Sequence, residues 1–241
     1  MSDKKPRERI TSSVEAILKK PWCKKIKLVL GGPTNFRKGI VDDYKAGRPP
    51  KPQRFNALRD WVIGTYDPII SENSEADDII SIYGWAGFNK AKIAGDKDAT
   101  DIILIGIDKD LRTVPSYHYR YSTHGAYPVW VSELEANRNF FIQLLLGDDT
   151  DNIKALTAVR SERLWYKKPK SDWSNCGEKK AKYLIGQCRT AKEMLLLCEE
   201  LYKEYFNVAW QHKISTAFSL LRLMEKEGEY PNYFRYREML T

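Results

Sequence analysis

Histidine is scarce in this 241-residue chain: only His118, His124 and His212 occur. None stands at a spacing that suggests a Ser-His-Asp site. Cysteine is nearly as rare. Cys23, Cys176, Cys188 and Cys198 contain no CxxC pair, which excludes a zinc knuckle and offers no disulfide framework. Four free thiols point to a reducing compartment. No apolar run reaches membrane-spanning length, and the charged N-terminal stretch leads into no apolar segment. The expectation is a soluble, cytoplasmic protein with no membrane partner. Internal repeats and low-complexity segments are also missing.

What is present suffices for a core. The apolar fraction is 42%, and the 12% aromatic content argues against disorder. The length allows one large domain or two small ones. A net charge of +8 favours a polyanionic partner, nucleic acid before acidic metabolites. A merely basic, solvated surface is the alternative.

Periodicity predicts a helix over residues 10–20, with Ile10, Val14, Ile17 and Leu18 on one side and Thr11 or Ser12 as cap. A short strand over 27–30 ends at Gly31-Gly32-Pro33. Residues 34–60 carry seven Lys and Arg side chains, broken by Pro49, Pro50 and Pro52, with no obvious core face. They read as a mobile or nucleic-acid-facing element. A helix over 75–86 has Ser74 as its cap and Asp77 in a capping box. The apolar run 102–107 has the length of a parallel strand covered on both faces. Strand candidates at 117–122 and 128–132 flank a turn at Gly125, and an apolar helix over 133–147 ends at Gly147. Strands alternating with helices imply an α/β sheet, with its ligand crevice beyond the carboxyl ends of the strands. Residues 154–175 are basic and aromatic, and 177–227 read as helical. The predicted division is an α/β domain over 1–153 and a helical subdomain over 154–241.

Three acidic clusters each follow or open a predicted core element: Glu75, Asp77 and Asp78; Asp108 and Asp110; Asp148 and Asp151. Each alone fits a blander role, in helix capping, a turn or a solvated helix end. Together they would place up to seven carboxylates at one sheet mouth, strongly repulsive without a cation. Hard divalent ions prefer oxygen ligands. Two such ions roughly 3.5–4 Å apart would relieve the repulsion. Mg²⁺ or Mn²⁺ in a two-metal site is therefore expected.

The motifs also resemble a known family. Asn35-Phe36-Arg37-Lys38 followed by Asp43-Tyr44-Lys45-Ala46-Gly47-Arg48 resembles the "FR…YKxxR" signature of the 5′-nuclease superfamily. Glu75-Ala76-Asp77-Asp78 is similar to its "EADD", Asp108-Lys109-Asp110-Leu111 to its "DxDL", and residues 147–153 to its "GDxxDNI". The ordered set covers roughly residues 27–190, and the bacteriophage exonuclease branch fits best. The resemblance implies a PIN-like α/β domain with a helical arch at about 33–60 and a C-terminal helix-hairpin-helix region. It implies metal-dependent hydrolysis of phosphodiesters at or near DNA 5′ ends or flaps. By motif position the metal acids would be Glu75, Asp77, Asp78, Asp108, Asp110, Asp148 and Asp151. Lys45 and Arg48 would be catalytic arch cations, with Arg37 and Lys38 on DNA. Gly177, with Lys179 and Lys180, sits in a weakened "GxGxxxA" hairpin that would bind duplex phosphates through a helix start.

The chain departs from the family pattern in two places. Family members open with a strand ending in aspartate, and nothing before the first predicted helix supplies one. Their second strand also ends in aspartate, where this chain has Gly31-Gly32. Three explanations follow: an active divergent nuclease, a nuclease completed by a second polypeptide that supplies the strand and its aspartate, or a DNA-end or junction binder with an impaired site. A PIN-type ribonuclease is a further alternative.

Overall fold

The computed structural model describes residues 4–121, 127–164 and 171–240. His124, the turn at Gly125, and Trp165, Tyr166, Lys167, Lys168 and Lys170 lie outside the described residues. In chain order the elements are α1 (Lys4–Leu18), β1 (Val29–Leu30), α2 (Phe55–Tyr66), β2 (Ile69–Ile70), α3 (Ala76–Ala94), β3 (Ile103–Ile105), β4 (Ser116–Tyr119) and β5 (Val129–Val131). They continue with α4 (Glu133–Leu146), β6 (Ala158–Arg160), β7 (Trp173–Asn175), α5 (Glu178–Gly186), α6 (Ala191–Phe206), α7 (Trp210–Leu221) and α8 (Tyr233–Leu240). The architecture is mixed α/β with a C-terminal helical region. Among the described residues no helix is long and apolar enough to cross a membrane.

The strands form separate small sheets. β1 pairs with β2 in parallel, and β3 pairs with β4 in parallel, with β5 antiparallel at the edge. β6 and β7 form an antiparallel pair within the stretch 154–175. The helix α3 serves both the β1–β2 pair and the three-stranded sheet. Its first residue abuts Gly31 after β1, while Gly84 and Gly87 lie against Leu104 and Ile102. Glycine permits this close approach. A Cβ at Gly84 would sit 2.7 Å from Val114 Cγ1 and 2.8 Å from Leu104 Cδ1, both residues buried.

Gly84→Ala should therefore destabilise by about 1–2 kcal/mol, because overpacking outweighs the helix-propensity gain. Gly64→Ala in exposed α2 meets nothing within 4 Å and should stabilise by roughly 0.5–1 kcal/mol. Thermal unfolding of both variants checks the opposite signs.

The larger core cluster runs from Tyr44 through Phe140, Phe141, Leu144 and Leu145 of α4 to Ile185, Met194, Phe218 and Tyr233. It passes residue 153 without a break, so α4 and the helices after it share one buried core. Cys176, Cys188 and Cys198 lie buried there as free thiols. Several sequence expectations are corrected here. The first helix begins at Lys4, and Leu18 is exposed. The cap of α3 is Glu75, not Ser74, and Asp78 rather than Asp77 accepts the Glu75 N–H, at 2.9 Å. The basic stretch 34–60 does carry core residues, because Arg37 and Tyr44 are both buried.

Candidate metal centre and basic arch

Each acidic cluster is placed by its local structure. Asp77 lies in the first turn of α3, where the helix dipole favours negative charge. Asp108 and Asp110 follow β3, and the Asp110 N–H bonds the Asp108 carboxylate at 3.0 Å to start a short 3₁₀ turn. Asp148 caps another such turn after α4, accepting from the Thr150 N–H at 2.8 Å. Gly147 makes that reversal feasible: its φ is +72°, and a Cβ there would meet the Ile153 carbonyl oxygen at 2.3 Å.

These acids feel one another. Burial, then the charges of Asp108, Glu75 and Asp110, raise the Asp77 pKa to about 7. Burial and Asp108 raise Asp110 to about 6, while Lys109 and a hydrogen bond from Gln143 pull the other way. Burial opposes ionisation of Asp148, but its ion pair with Lys109 (3.0 Å) and two backbone N–H groups prevail and lower its pKa. An all-oxygen donor set with surplus negative charge suits a hard divalent cation. Among the described residues, no three His, Cys, Asp or Glu side chains converge as a ready-made cage. Two of the carboxylates are instead turned toward nearby side chains: Asp110 to Gln143 (2.8 Å) and Asp148 to Lys109.

Glu75 and Asp151 form a second group beneath the basic segment. Lys45 Nζ pairs with Glu75 and lies 3.4 Å from Asp151. Arg48 Nε donates to Asp151 at 3.1 Å. The buried Tyr44 hydroxyl stands 3.3 Å from both carboxylates. Lys45 holds a left-handed backbone (φ 61°), fixed by its N–H bond to the Asp151 carbonyl at 3.0 Å. Tyr44, Lys109 and Gln143 are the residues that sequence reasoning passed over. The first two stand inside the motifs; Gln143 gave no signal.

Asp78 and Arg37 do not fit the roles expected of them. Asp78 is fully buried, and its oxygens accept from Arg37 (2.6 and 2.9 Å), Glu75 N–H (2.9 Å) and Met224 N–H (3.1 Å). No lone pair is left for an ion. Arg37 is 1% exposed and also donates to the carbonyls of Leu220 and Arg222, so it cannot reach a phosphate. Together they tie the basic segment and α3 to the end of α7. Lys38 is exposed.

Gly177 N-caps α5, with Ala181 buried beneath it, and the element before it is strand β7 rather than a helix. Lys179 is exposed, whereas Lys180 Nζ donates to Ser174 Oγ (2.6 Å) and the Asn175 carbonyl (2.9 Å). In the β6–β7 pair, Arg160 lies over the Trp173 ring, which packs on Tyr205.

No protein-family model matches the chain. It is similar in structure to the bacteriophage T5 D15 protein crystallised with metal ions, at 14% identity and a TM-score of 0.49, over 88% of this chain and 86% of that one. A mutant T5 5′-exonuclease gives 15% identity and a TM-score of 0.47, over 88% and 85%. The T5 D15 flap endonuclease in complex with DNA and metal ions gives 13% and 0.45, over 89% and 90%. At such identities, with TM-scores below 0.5, the similarity assigns neither activity nor ligand to this chain.

Proposed function

We propose that the chain is a divalent-metal-dependent nuclease acting at or near DNA 5′ ends or flaps, with a PIN-like α/β domain as its scaffold. What supports this reading is that the charges of Asp108 and Asp110 reach Asp77, and those of Asp108 and Asp148 reach Asp110, across three separate segments of the chain. These four would hold Mg²⁺ or Mn²⁺. Bound there, the ions would supply an activated water and charge stabilisation on the leaving oxygen. Lys45 and Arg48 would exchange their carboxylate partners for phosphate oxygens, offsetting charge that builds in the transition state. Tyr44 would keep Glu75 and Asp151 in place while the cations move. Lys38, Lys179 and the α5 start at Gly177 remain proposed DNA contacts.

A second reading is a DNA-end binder with an impaired site. Its support is the present pairing of Lys45, Arg48 and Lys109 with the acids. One set of assays separates the two. 5′-labelled flap and duplex DNA, with RNA alongside, should be cut in Mg²⁺ or Mn²⁺ and left intact in EDTA. DNA binding without cleavage in either metal supports the second reading, and preferential RNA cutting a ribonuclease. The Lys45→Met, Arg48→Met variant should bind DNA with a salt slope smaller by about 1.4–1.8, two phosphate contacts' worth. An unchanged slope removes the arch cations from the interface.

A further inference from the structure

The positive charge of this chain is concentrated in one stretch. Residues 16–41 hold seven Lys or Arg and no Asp or Glu, so they carry +7 of the net +8. The rest of the chain is close to neutral, which a generally basic, solvated surface would not give. Two of the seven already have carboxylate partners: Arg37 is buried on Asp78, and Lys27 Nζ lies 3.0 Å from Asp67. Lys38 belongs to the basic segment 34–60. The other four, Lys19, Lys20, Lys24 and Lys25, fall within seven residues.

Their backbone is fixed in a turn. The Lys20 N–H bonds the Ile17 carbonyl at 2.9 Å, and the Cys23 N–H bonds the Lys20 carbonyl at 2.9 Å. Between the two lysine pairs, Trp22 packs on Tyr119 with ring centroids 4.7 Å apart, and Lys20 Nζ lies 5.9 Å over the same ring. Lys19, Lys24 and Lys25 are exposed, and among the described residues no carboxylate pairs with them. Like charges held together in this way repel until an anion joins them. Position adds to the argument. Tyr119 ends β4 in register with Ile105 of β3, three residues before Asp108. The loop is therefore anchored beside the strand end that leads to Asp108, and it continues to the start of β1.

We infer that Lys19, Lys24 and Lys25 bind backbone phosphates of DNA, on a stretch of substrate beyond the acidic residues. Lysine is a point charge, suited to phosphate rather than to reading base edges. Trp22 is held by Tyr119, so the contact would be independent of base sequence. A lipid surface fits less well. Val14 and Ile17 of α1 are buried, so little of the helix's apolar stripe is left to insert. The inference rests on the DNA substrate of the proposed function, and not on cleavage.

Salt-dependent binding of flap DNA in EDTA, where nothing is cut, tests it. The Lys19→Gln, Lys24→Gln, Lys25→Gln variant should lower the slope of log affinity against log salt by about 2–3, three phosphate contacts' worth. Lys97→Gln, Lys213→Gln, Lys226→Gln removes the same charge from other elements and should change the slope by under about 1. An equal loss in both variants, or no loss in the first, overturns the inference. The unaltered protein gives a second test. Saturating DNA should slow chemical acetylation of Lys19, Lys24 and Lys25 at least threefold and leave Lys97 and Lys213 unchanged. Acetylation that DNA leaves unslowed, or that only anionic lipid vesicles slow, overturns it too. DNA held through these lysines yet left intact in both Mg²⁺ and Mn²⁺ would refute the nuclease reading and support this one.

Discussion

Arg37→Ala should destabilise the fold by about 3–5 kcal/mol, the loss typical of a buried ion pair deprived of one partner. Against a usual total of roughly 5–15 kcal/mol, such a variant sits near the edge of folding. The cause is what remains behind. Asp78 would be left fully buried with only two N–H donors, and the Leu220 and Arg222 carbonyls would lose theirs. The double variant Arg37→Met, Asp78→Leu removes both charges while keeping volume, and should recover at least half of the loss. Urea unfolding of the three proteins measures this. A single variant costing under about 1 kcal/mol would show that the pair is replaceable by water, contrary to its burial.

That pair also shows where sequence reasoning stops. The position of two acid clusters was legible because each ends an apolar run at a point where glycine or a turn takes the chain out of its strand or helix. Asp108, Asp110 and Asp148 lie where that logic places them. Asp78 was misread because capping boxes and metal ligands draw on the same residue type in a helix's first turn. What separates Asp78 from Asp77 is Arg37, 41 positions away, and the carbonyls of Leu220 and Arg222, 183 and 185 positions from Arg37. No local pattern carries such contacts. The divided sheet was equally hidden. Strands of two to four residues are too short to show alternation, and which of them pair depends on contacts far apart in sequence.

Asp77→Asn should have two effects of opposite sense. Cleavage in Mg²⁺ should fall roughly a thousandfold, since a lost metal oxygen forfeits several kcal/mol of transition-state stabilisation. In EDTA at pH 8 the same variant should unfold later than the unaltered protein, by about 1–3 kcal/mol. Burial and neighbouring carboxylates hold the Asp77 pKa at about 7, far above the ordinary 3.8. The folded chain therefore binds this proton more tightly than the unfolded chain. The stability from that proton is full below about pH 4 and is lost as the pH rises through 7. At pH 8 the ionised side chain strains the fold, and a neutral amide removes the strain. The advantage of the variant should thus shrink when the pH is lowered to 5. It should also vanish when the unaltered protein is given Mg²⁺ or Mn²⁺, because the cation neutralises what asparagine deletes. Thermal unfolding across pH 5–8, with and without metal, reads all of these. A variant that lost cleavage yet gained no stability in EDTA would mean that Asp77 is not held among mutually repelling acids, and the account of its raised pKa would fall while its part in cleavage stood.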